Sequence, residues 1–320
     1  MIEGTLAIVL NTLTIIIITF VIANVAVSIV ASLMTQSFLT IQVQSRKVAL
    51  WLLITMPWLT SIGVALFFLN GYLSSKAFEA ETEFAHWHHM AVFSWSTWHG
   101  ATLIIALVFS CFILGKKFVQ LKQHHHNLKS LTHFAKPLTD NVFEIDMPKA
   151  SAFTAGFIHK KCYVTSGMLK EMTEAEVEVV LAHEKAHAKN NDPLKKWLFS
   201  LFAAFFIPSL ATRLKLHMTL AMEQAADNAV VNDKLTPTFV AITLVRVARL
   251  NALYSPIKSN ELVASFGADV LDQRIYFLLG QLTLKPVNKW MTLILVIFIL
   301  AASMSSIDGL HHFVEIVFSH

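Results

Sequence analysis

The sequence predicts a mainly α-helical membrane protein, with four transmembrane helices and an α+β domain inserted before the last of them. Two properties of the chain lead to this fold class. First, 55% of the 320 residues are hydrophobic and only 14% are charged, whereas about a quarter of the residues in a soluble domain usually carry a charge. Second, the hydrophobic residues are gathered into long runs, and one long polar region separates the third run from the fourth.

Four apolar runs have the length and composition of membrane spans: residues 6–34, 48–72, 98–115 and 290–307. A transmembrane helix needs about 20 predominantly apolar residues. The first two runs exceed this length, and the other two contain no Asp, Glu, Lys or Arg. Buried helices of a soluble core are the alternative, but four uncharged runs in one chain argue against it. The first run is also too long for the core of a cleaved signal peptide.

Lysine and arginine residues predict which loops are cytoplasmic, because cytoplasmic loops carry an excess of both. Arg46 and Lys47 follow the first span and Lys116 and Lys117 follow the third, whereas the loop 73–97 has three glutamates and a single lysine. We therefore expect both termini outside, in a multi-pass protein of the bacterial cytoplasmic (inner) membrane. The predicted regions are a three-span membrane region at residues 1–115 with the external loop 73–97, a cytoplasmic domain at 116–289, and a last span with a short external tail at 290–320.

The cytoplasmic domain begins with strand signals. Apolar residues at 142–145 predict a short strand, and the stretches 156–158 and 162–165 flank three polar residues as in a β-hairpin. These strands make the domain α+β rather than purely helical.

A helix is predicted from Thr173 to about Asn190. Thr173 and Glu176 form the Ser/Thr-x-x-Glu pattern of a capping box directly before an apolar run. Asp192 and Pro193 follow, and they predict an N-cap with proline at the first position of the next helix.

The central motif of this helix is His183-Glu184-Lys185-Ala186-His187, an HExxH sequence. Residues four apart lie on one helix face, so both imidazoles can bind one metal ion from the same side. Zinc in such a site lowers the pKa of a water molecule towards neutrality, and Glu184 is placed to accept its proton as a general base. The motif predicts one zinc ion per chain and hydrolysis of a peptide bond.

A catalytic zinc needs a third protein ligand and an open position. Glu223 and Asp227 are four residues apart and therefore face the same way on a helix. We expect Glu223 to bind zinc and Asp227 to accept a hydrogen bond from a ligand imidazole. On their own, the two carboxylates would be interpreted as ordinary surface residues; downstream of an HExxH motif, the metal site is the stronger interpretation.

The apolar segment 197–210 lies between His187 and Glu223 and is too short for a span. A single crossing would put Glu223 on the opposite side of the bilayer from the two histidines. Lysine or arginine residues flank both of its ends, which favours two cytoplasmic ends. We predict that the segment enters the membrane surface or dips into the membrane and returns.

Several stretches of the cytoplasmic domain resemble the BlaR/MecR-type antirepressor membrane metallopeptidases. They are GFIHKKCYVTSGML at 156–169, TEAE at 173–176, LAHEKAH at 181–187, Asp192, and Glu223 with Asp227. The related HtpX-type membrane peptidases share the HExxH and Glu-xxx-Asp parts, and Ala152-Phe153 is similar to a segment that they carry. The resemblance covers about residues 140–280 and the four-span layout, and the combination of motifs is more specific than HExxH alone.

The resemblance implies a gluzincin-like zinc metallopeptidase domain. It also implies that an edge strand near 162–165 binds the substrate as an added strand, and that cytosolic or membrane-associated proteins are cleaved. Antirepressors that sense drugs carry a penicillin-binding domain after the last span; about a dozen residues follow here, so we expect no such sensor.

Three further positions are open. Ala226 stands where many relatives have a cysteine, and no catalytic consequence is expected from it. Arg274 either pairs with a carboxylate near the site or is a solvated helix residue. The sequence does not identify the group that stabilises the oxyanion, for which His217 is a hypothesis.

Two further groups of histidines allow more than one interpretation. The run His124, His125 and His126 is typical of a flexible solvated tract, with a second metal site as the alternative. His86, His88, His89 and His99 lie among tryptophans in the external loop, as at a membrane interface, with an external metal or ligand site as the alternative.

The sequence thus predicts a membrane-embedded zinc endopeptidase acting in signalling or regulated proteolysis. Its expected partners are the lipid bilayer and a protein substrate, either a cytosolic repressor or a membrane protein. The modest net charge of +4 gives no reason to expect nucleic acid. Two alternatives stay open: an HtpX-like quality-control peptidase, and a non-catalytic signalling protein that zinc stabilises.

Overall fold

The computed structural model describes residues 1–34, 37–78, 90–254 and 261–318, and it is mostly helical. The helices are α1 Thr5–Met34, α2 Val43–Phe78, α3 Trp98–Thr132, α4 Ser166–Glu171, α5 Glu174–Asn190, α6 Asp192–Ala203, α7 Pro208–Val230, α8 Pro237–Tyr254, α9 Glu261–Leu278 and α10 Lys289–Phe318. The strands are β1 Ile2–Glu3, β2 Val92–Phe93, β3 Lys136–Thr139, β4 Val142–Ile145, β5 Ala152–Ala155 and β6 Lys161–Thr165.

Three helices are long and apolar enough to cross a membrane, judged by length and composition. They are α1, α2 and α3, each containing one predicted span, and they expose apolar side chains such as Val21, Leu66 and Ile105. Helix α10 contains the fourth predicted span, but its apolar part among the described residues, Thr292–Ser305, is shorter than a span. The fourth span and the orientation of the chain therefore stay predictions.

The long apolar helices α1 and α2 share one hydrophobic core with α6 and α7. Side chains of α1 and α2, such as Val27 and Leu50, pack in the same buried cluster as Phe199 of α6 and Met218 of α7. Movement of α6 or α7 relative to the spans would disrupt this cluster, so the two regions are packed as one unit there.

The segment 197–210 forms the tip of a helical hairpin, in which α6 runs in and α7 runs back. At the tip, the ring of Phe205 lies 5.9 Å from Phe20 of α1, 5.1 Å from Trp58 of α2 and 6.3 Å from Phe109 of α3. The Asn24 side chain donates a hydrogen bond to the Phe205 carbonyl at 3.3 Å. The segment thus turns back within the protein; its entry into a bilayer stays a prediction.

A sheet of four strands in the order β3-β4-β6-β5 supports α5. Strands β4 and β6 are parallel and the other two pairs are antiparallel. The predicted strand at 142–145 is confirmed, as is a hairpin that ends in β6. Its first arm is β5, and residues 156–158 lie in the connection between the two strands. Gly156 adopts a φ of +98° there, and a Cβ at this position would lie 2.2 Å from the His159 carbonyl oxygen.

The expectation that 162–165 lies at the sheet edge is wrong. These residues belong to β6, which pairs with β4 on one side and β5 on the other. The strand with a free edge next to α5 is β5, one strand further out, and it is this strand that borders the candidate site.

The capping box of α5 is confirmed, with the Thr173 side chain accepting from the Glu176 amide and the Glu176 side chain accepting from the Thr173 amide. The expected N-cap at Asp192 is wrong. Asn191, with a left-handed φ of 58°, precedes α6, and Asp192 is the first helical residue, followed by Pro193. The carboxylate of Asp192 instead contacts the His187 imidazole.

Candidate metal centre

Two helices bring three metal-binding side chains together. On α5, the Nε2 atoms of His183 and His187 lie 3.0 Å apart. On α7, Glu223 places Oε2 at 3.2 Å from His183 Nε2 and Oε1 at 3.5 Å from His187 Nε2. Among the described residues, these three form the group that could hold a metal ion, and they are the ligands that the sequence predicts.

The spacing of these atoms fits zinc. Ligand atoms at about 2.0–2.1 Å from a tetrahedral zinc ion lie about 3.4 Å from one another, close to the three distances observed. Two imidazole nitrogens that both act as acceptors repel each other at 3.0 Å unless a proton or a cation lies between them. Two histidines and one glutamate also leave a fourth position open, as in catalytic zinc sites.

His187 is oriented by Asp192. The Nδ1 atom of His187 lies 2.7 Å from Asp192 Oδ2, and both side chains are buried. A hydrogen bond at Nδ1 leaves Nε2 free as a metal ligand. The sequence predicts Asp192 only as a helix cap. Its contact with His187 could have been predicted too, because the two residues are only five apart.

Asp227 lies on the other side, against His183. The Nδ1 atom of His183 lies 2.9 Å from Asp227 Oδ1, although the contact is not aligned as a straight hydrogen bond. Arg274 of α9 donates to both oxygens of Asp227, each at 2.7 Å, and its Nη1 lies 3.4 Å from Glu223 Oε2. The interpretation of Arg274 as the partner of a carboxylate near the site is confirmed.

The charges around Glu223 keep it ionised. Burial alone would raise its pKa, but hydrogen bonds to His183 and His187 and the charges of Arg274 and Lys196 hold the pKa well below its usual value. The Nζ atom of Lys196 lies 3.2 Å from Glu223 Oε1. Glu223 is therefore a carboxylate at neutral pH, which is the form that binds a metal ion.

Protonation of His187 is favoured in the metal-free site. Burial lowers its pKa, but the hydrogen bonds to Asp192 and Glu223 outweigh burial and raise the pKa to about 9. A metal ion must therefore displace a proton from this site when it binds near neutral pH.

Glu184 lies beside the three ligands and contacts the edge strand. The Thr154 hydroxyl of β5 is 2.7 Å from Glu184 Oε2 and 2.7 Å from the Glu184 carbonyl oxygen, and it can donate to one of them at a time. Sequence analysis missed Thr154, because nothing in the sequence places β5 next to α5.

Two cavities meet at Glu184 and Glu223. The larger, with a volume of about 580 Å³, lies between the edge of β5, the portion of α3 beyond its apolar run, and α6. The smaller, of about 330 Å³, lies among α5, α7, α8 and α9 and has Arg274 in its wall. A polypeptide therefore has room on more than one side of Glu184.

The other histidines lie away from the ligand group or outside the described residues. His217 is buried, 5.3 Å from the Phe38 ring, and lines neither of these two cavities; its role in stabilising the oxyanion stays a hypothesis. His124 and His125 line the larger cavity, but no metal-binding group of three includes them among the described residues. His86, His88 and His89 fall outside the described residues.

Residues 115–260 match peptidase family M48. A relative named Protease HtpX homolog, from Levilactobacillus brevis, is 27% identical over 118 residues, which cover 31% of this chain and 40% of the relative. The chain thus spans about two fifths of the length of this curated relative. The matched segment contains the three candidate ligands and Glu184, so the match supports a metallopeptidase that is similar to HtpX. The more specific antirepressor assignment stays a prediction.

Proposed function

We propose that this chain is a membrane-embedded, zinc-dependent endopeptidase. The observation that carries the proposal is the ligand triangle of His183, His187 and Glu223, with the carboxylate of Glu184 beside it and a free strand edge next to both. Zinc bound there would supply a Lewis acid and bring the pKa of a water molecule close to neutrality.

Glu184 is the general base in this proposal. Its carboxylate accepts a proton from the attacking water and later passes it to the leaving amine. The Thr154 hydroxyl, 2.7 Å away, restricts the rotation of this carboxylate. Asp192 and Asp227 hold the two imidazoles with Nε2 directed to the common centre.

The free edge of β5 can bind the substrate backbone. Ser151 exchanges hydrogen bonds with Thr165 on β6, and pairing in antiparallel strands alternates from residue to residue. The backbone groups of Ala152 and Thr154 therefore point away from β6, towards the larger cavity. An extended peptide that pairs with them would lie across the Glu184 carboxylate.

Placement in the membrane follows from the helical hairpin of α6 and α7. If α1, α2 and α3 cross the bilayer, the Phe205 tip that packs among them lies inside it, and both ends of the hairpin emerge on one side. In a variant without its native cysteines, single cysteines at the exposed positions Lys195 and Arg213 should react with an impermeant maleimide from the cytoplasmic side alone. Reaction of Arg213→Cys from outside would exclude both the topology and Glu223 as a ligand of the same zinc ion.

Two biological roles fit this chemistry. Regulated cleavage of one repressor or membrane protein is the role that the resemblance to antirepressors suggests. General removal of damaged membrane proteins is favoured by the similarity to a protein named Protease HtpX homolog. A non-catalytic role is less consistent with a carboxylate such as Glu184 lining two cavities beside the ligands.

Comparative proteomics tests the function and separates these roles. Cells carrying the wild-type chain are compared with cells carrying Glu184→Gln, which leaves the three ligands in place but removes the base, worth about 10²–10⁴-fold in rate. Glu178→Gln, an exposed change on the same helix, is the control. One accumulating protein indicates regulated proteolysis and many indicate quality control; wild-type levels of every cleavage product in Glu184→Gln would refute the assignment of Glu184.

A further inference from the structure

The larger cavity has a charged wall that the proposed chemistry does not use. Helix α3 continues from its apolar run into the cytoplasmic domain, where Lys117, Gln120 and His124 line the cavity opposite β5. The same helix thus belongs both to the membrane region and to the wall of the substrate cavity.

The size of the cavity limits what can occupy it. The cavity has a volume of about 580 Å³, and an extended chain rises about 3.3 Å per residue. The cavity therefore has room for a few residues of a strand that pairs with β5, and Lys117 lines it together with Ala152 and Thr154 of β5.

The positive charge of Lys117 is not compensated. Its Nζ atom donates to the Ser200 hydroxyl at 2.7 Å, which leaves two of its three N–H groups unused by that bond. No carboxylate lies within ion-pairing distance of it among the described residues. The three carboxylates that line the cavity are already engaged: Asp192 and Glu223 with the ligand histidines, and Glu184 with Thr154.

Lys196, the other lysine that lines the cavity, has a carboxylate partner. Lys196 lies 3.2 Å from Glu223 Oε1, so its charge is balanced within the metal centre. Lys117 is instead the cation at the end of the cavity nearest the membrane, because it directly follows the apolar run of α3 and its partner Ser200 is on α6, whose end packs among the spanning helices.

We infer that Lys117 binds an acidic side chain of the substrate, in the segment that occupies this cavity and on the side of the cleaved bond that faces the membrane. The inference rests on the proposed function, since it names the chemistry of the segment that the same cavity takes. A partly buried pair between an ammonium and a carboxylate favours a glutamate over a glutamine by about 5- to 10-fold.

Binding of peptides to the full-length protein tests this inference without requiring turnover. The zinc-loaded Glu184→Gln protein is placed in phosphatidylcholine nanodiscs, and fluorescent decapeptides carry a single Glu, Gln or Lys at each position in turn. Anisotropy gives the Kd of each peptide. The Glu peptide should bind about 5- to 10-fold more tightly than the Gln peptide at one or two adjacent positions.

Variants of Lys117 identify the residue responsible. Added to Glu184→Gln, Lys117→Met should abolish the preference for Glu and Lys117→Glu should convert it into a preference for Lys. Lys116→Glu, an exposed neighbour that does not line the cavity, should leave the preference unchanged. Equal Glu-to-Gln ratios in the Lys117→Glu and Lys116→Glu proteins would overturn the inference.

Two further outcomes are decisive. If Lys117→Glu weakens binding of the protein to vesicles with 30% phosphatidylglycerol but leaves all peptide ratios unchanged, the cation serves a lipid headgroup and the inference is wrong. If the peptide preference is found but the zinc-loaded wild type cuts none of the peptides, the proposed function fails while the acidic subsite stands.

Discussion

The two histidines of the metal centre are held by carboxylates that reach them in different ways. The partner of His187 is Asp192, the first residue of the following helix. The partner of His183 is Asp227, which arrives on α7 and is itself held by Arg274 from α9. One half of the centre is thus made by a short stretch of chain, and the other requires three helices to pack together.

The two halves therefore differ in how much stability is lost when a carboxylate or its partner is removed. Asp192 has His187 as its ion-pairing partner among the described residues, and Glu223 also contacts that imidazole, so loss of Asp192 leaves His187 with one of its two acidic partners. Asp227 is fully buried between an imidazole and a guanidinium, so removing either neighbour leaves a buried charge without full compensation, which is strongly destabilising.

The largest effect is expected at Glu223, the proposed ligand that contacts both histidines. Glu223→Ala removes a ligand and should reduce zinc affinity by more than the about 10–100-fold expected for the carboxylates behind the imidazoles. Zinc content of the purified protein and competition with a chelator measure this. Unchanged zinc and activity would place the third ligand elsewhere.

The next effect is expected at Arg274. Arg274→Met leaves the Asp227 carboxylate buried without its two hydrogen bonds, a change that typically costs about 3–5 kcal/mol. Thermal unfolding of the metal-free protein in detergent should show this loss of stability without any contribution from zinc binding. The double variant Arg274→Met with Asp227→Asn should recover part of the stability, and a loss equal to the sum of the two single changes would contradict the coupling.

A matched pair of changes compares the two halves directly. Asp192→Asn and Asp227→Asn should each weaken zinc binding by about 10–100-fold. Asp227→Asn should also lower the stability of the metal-free protein, because it leaves the Arg274 guanidinium partly buried with its main partner neutral. Asp192→Asn should lower it less, because Glu223 still lies 3.5 Å from His187 Nε2. Equal stability losses in the two variants would show that the halves do not differ in this way.

The smallest effect is expected at the start of α5, which carries both histidines. Thr173→Ala removes the N-cap hydrogen bond to the Glu176 amide and should cost about 1 kcal/mol. Since the cap acts on the whole helix, zinc affinity should change little. A large loss of zinc would show that the start of the helix controls the register of the histidines.

Several features of the site could be predicted because they depend on local spacing. The helix period places His183, Glu184 and His187 around one point, and it pairs Glu223 with Asp227 in the same way. The capping box is equally local, because its hydrogen bonds join residues three apart, and strand β4 is marked by a short apolar pattern in its own residues. Runs of apolar residues predicted three helices that are suited to a membrane without any tertiary information.

The tertiary structure decided what the spacing could not. Which strand has the free edge depends on the order of four strands, and β5, not β6, lies outermost. Thr154 reaches Glu184, and Arg274 reaches Asp227, across separations that no local pattern encodes. The reason is physical: hydrogen bonds within a helix or a hairpin determine neighbours a few residues apart, whereas the placement of whole elements depends on how their buried faces pack together.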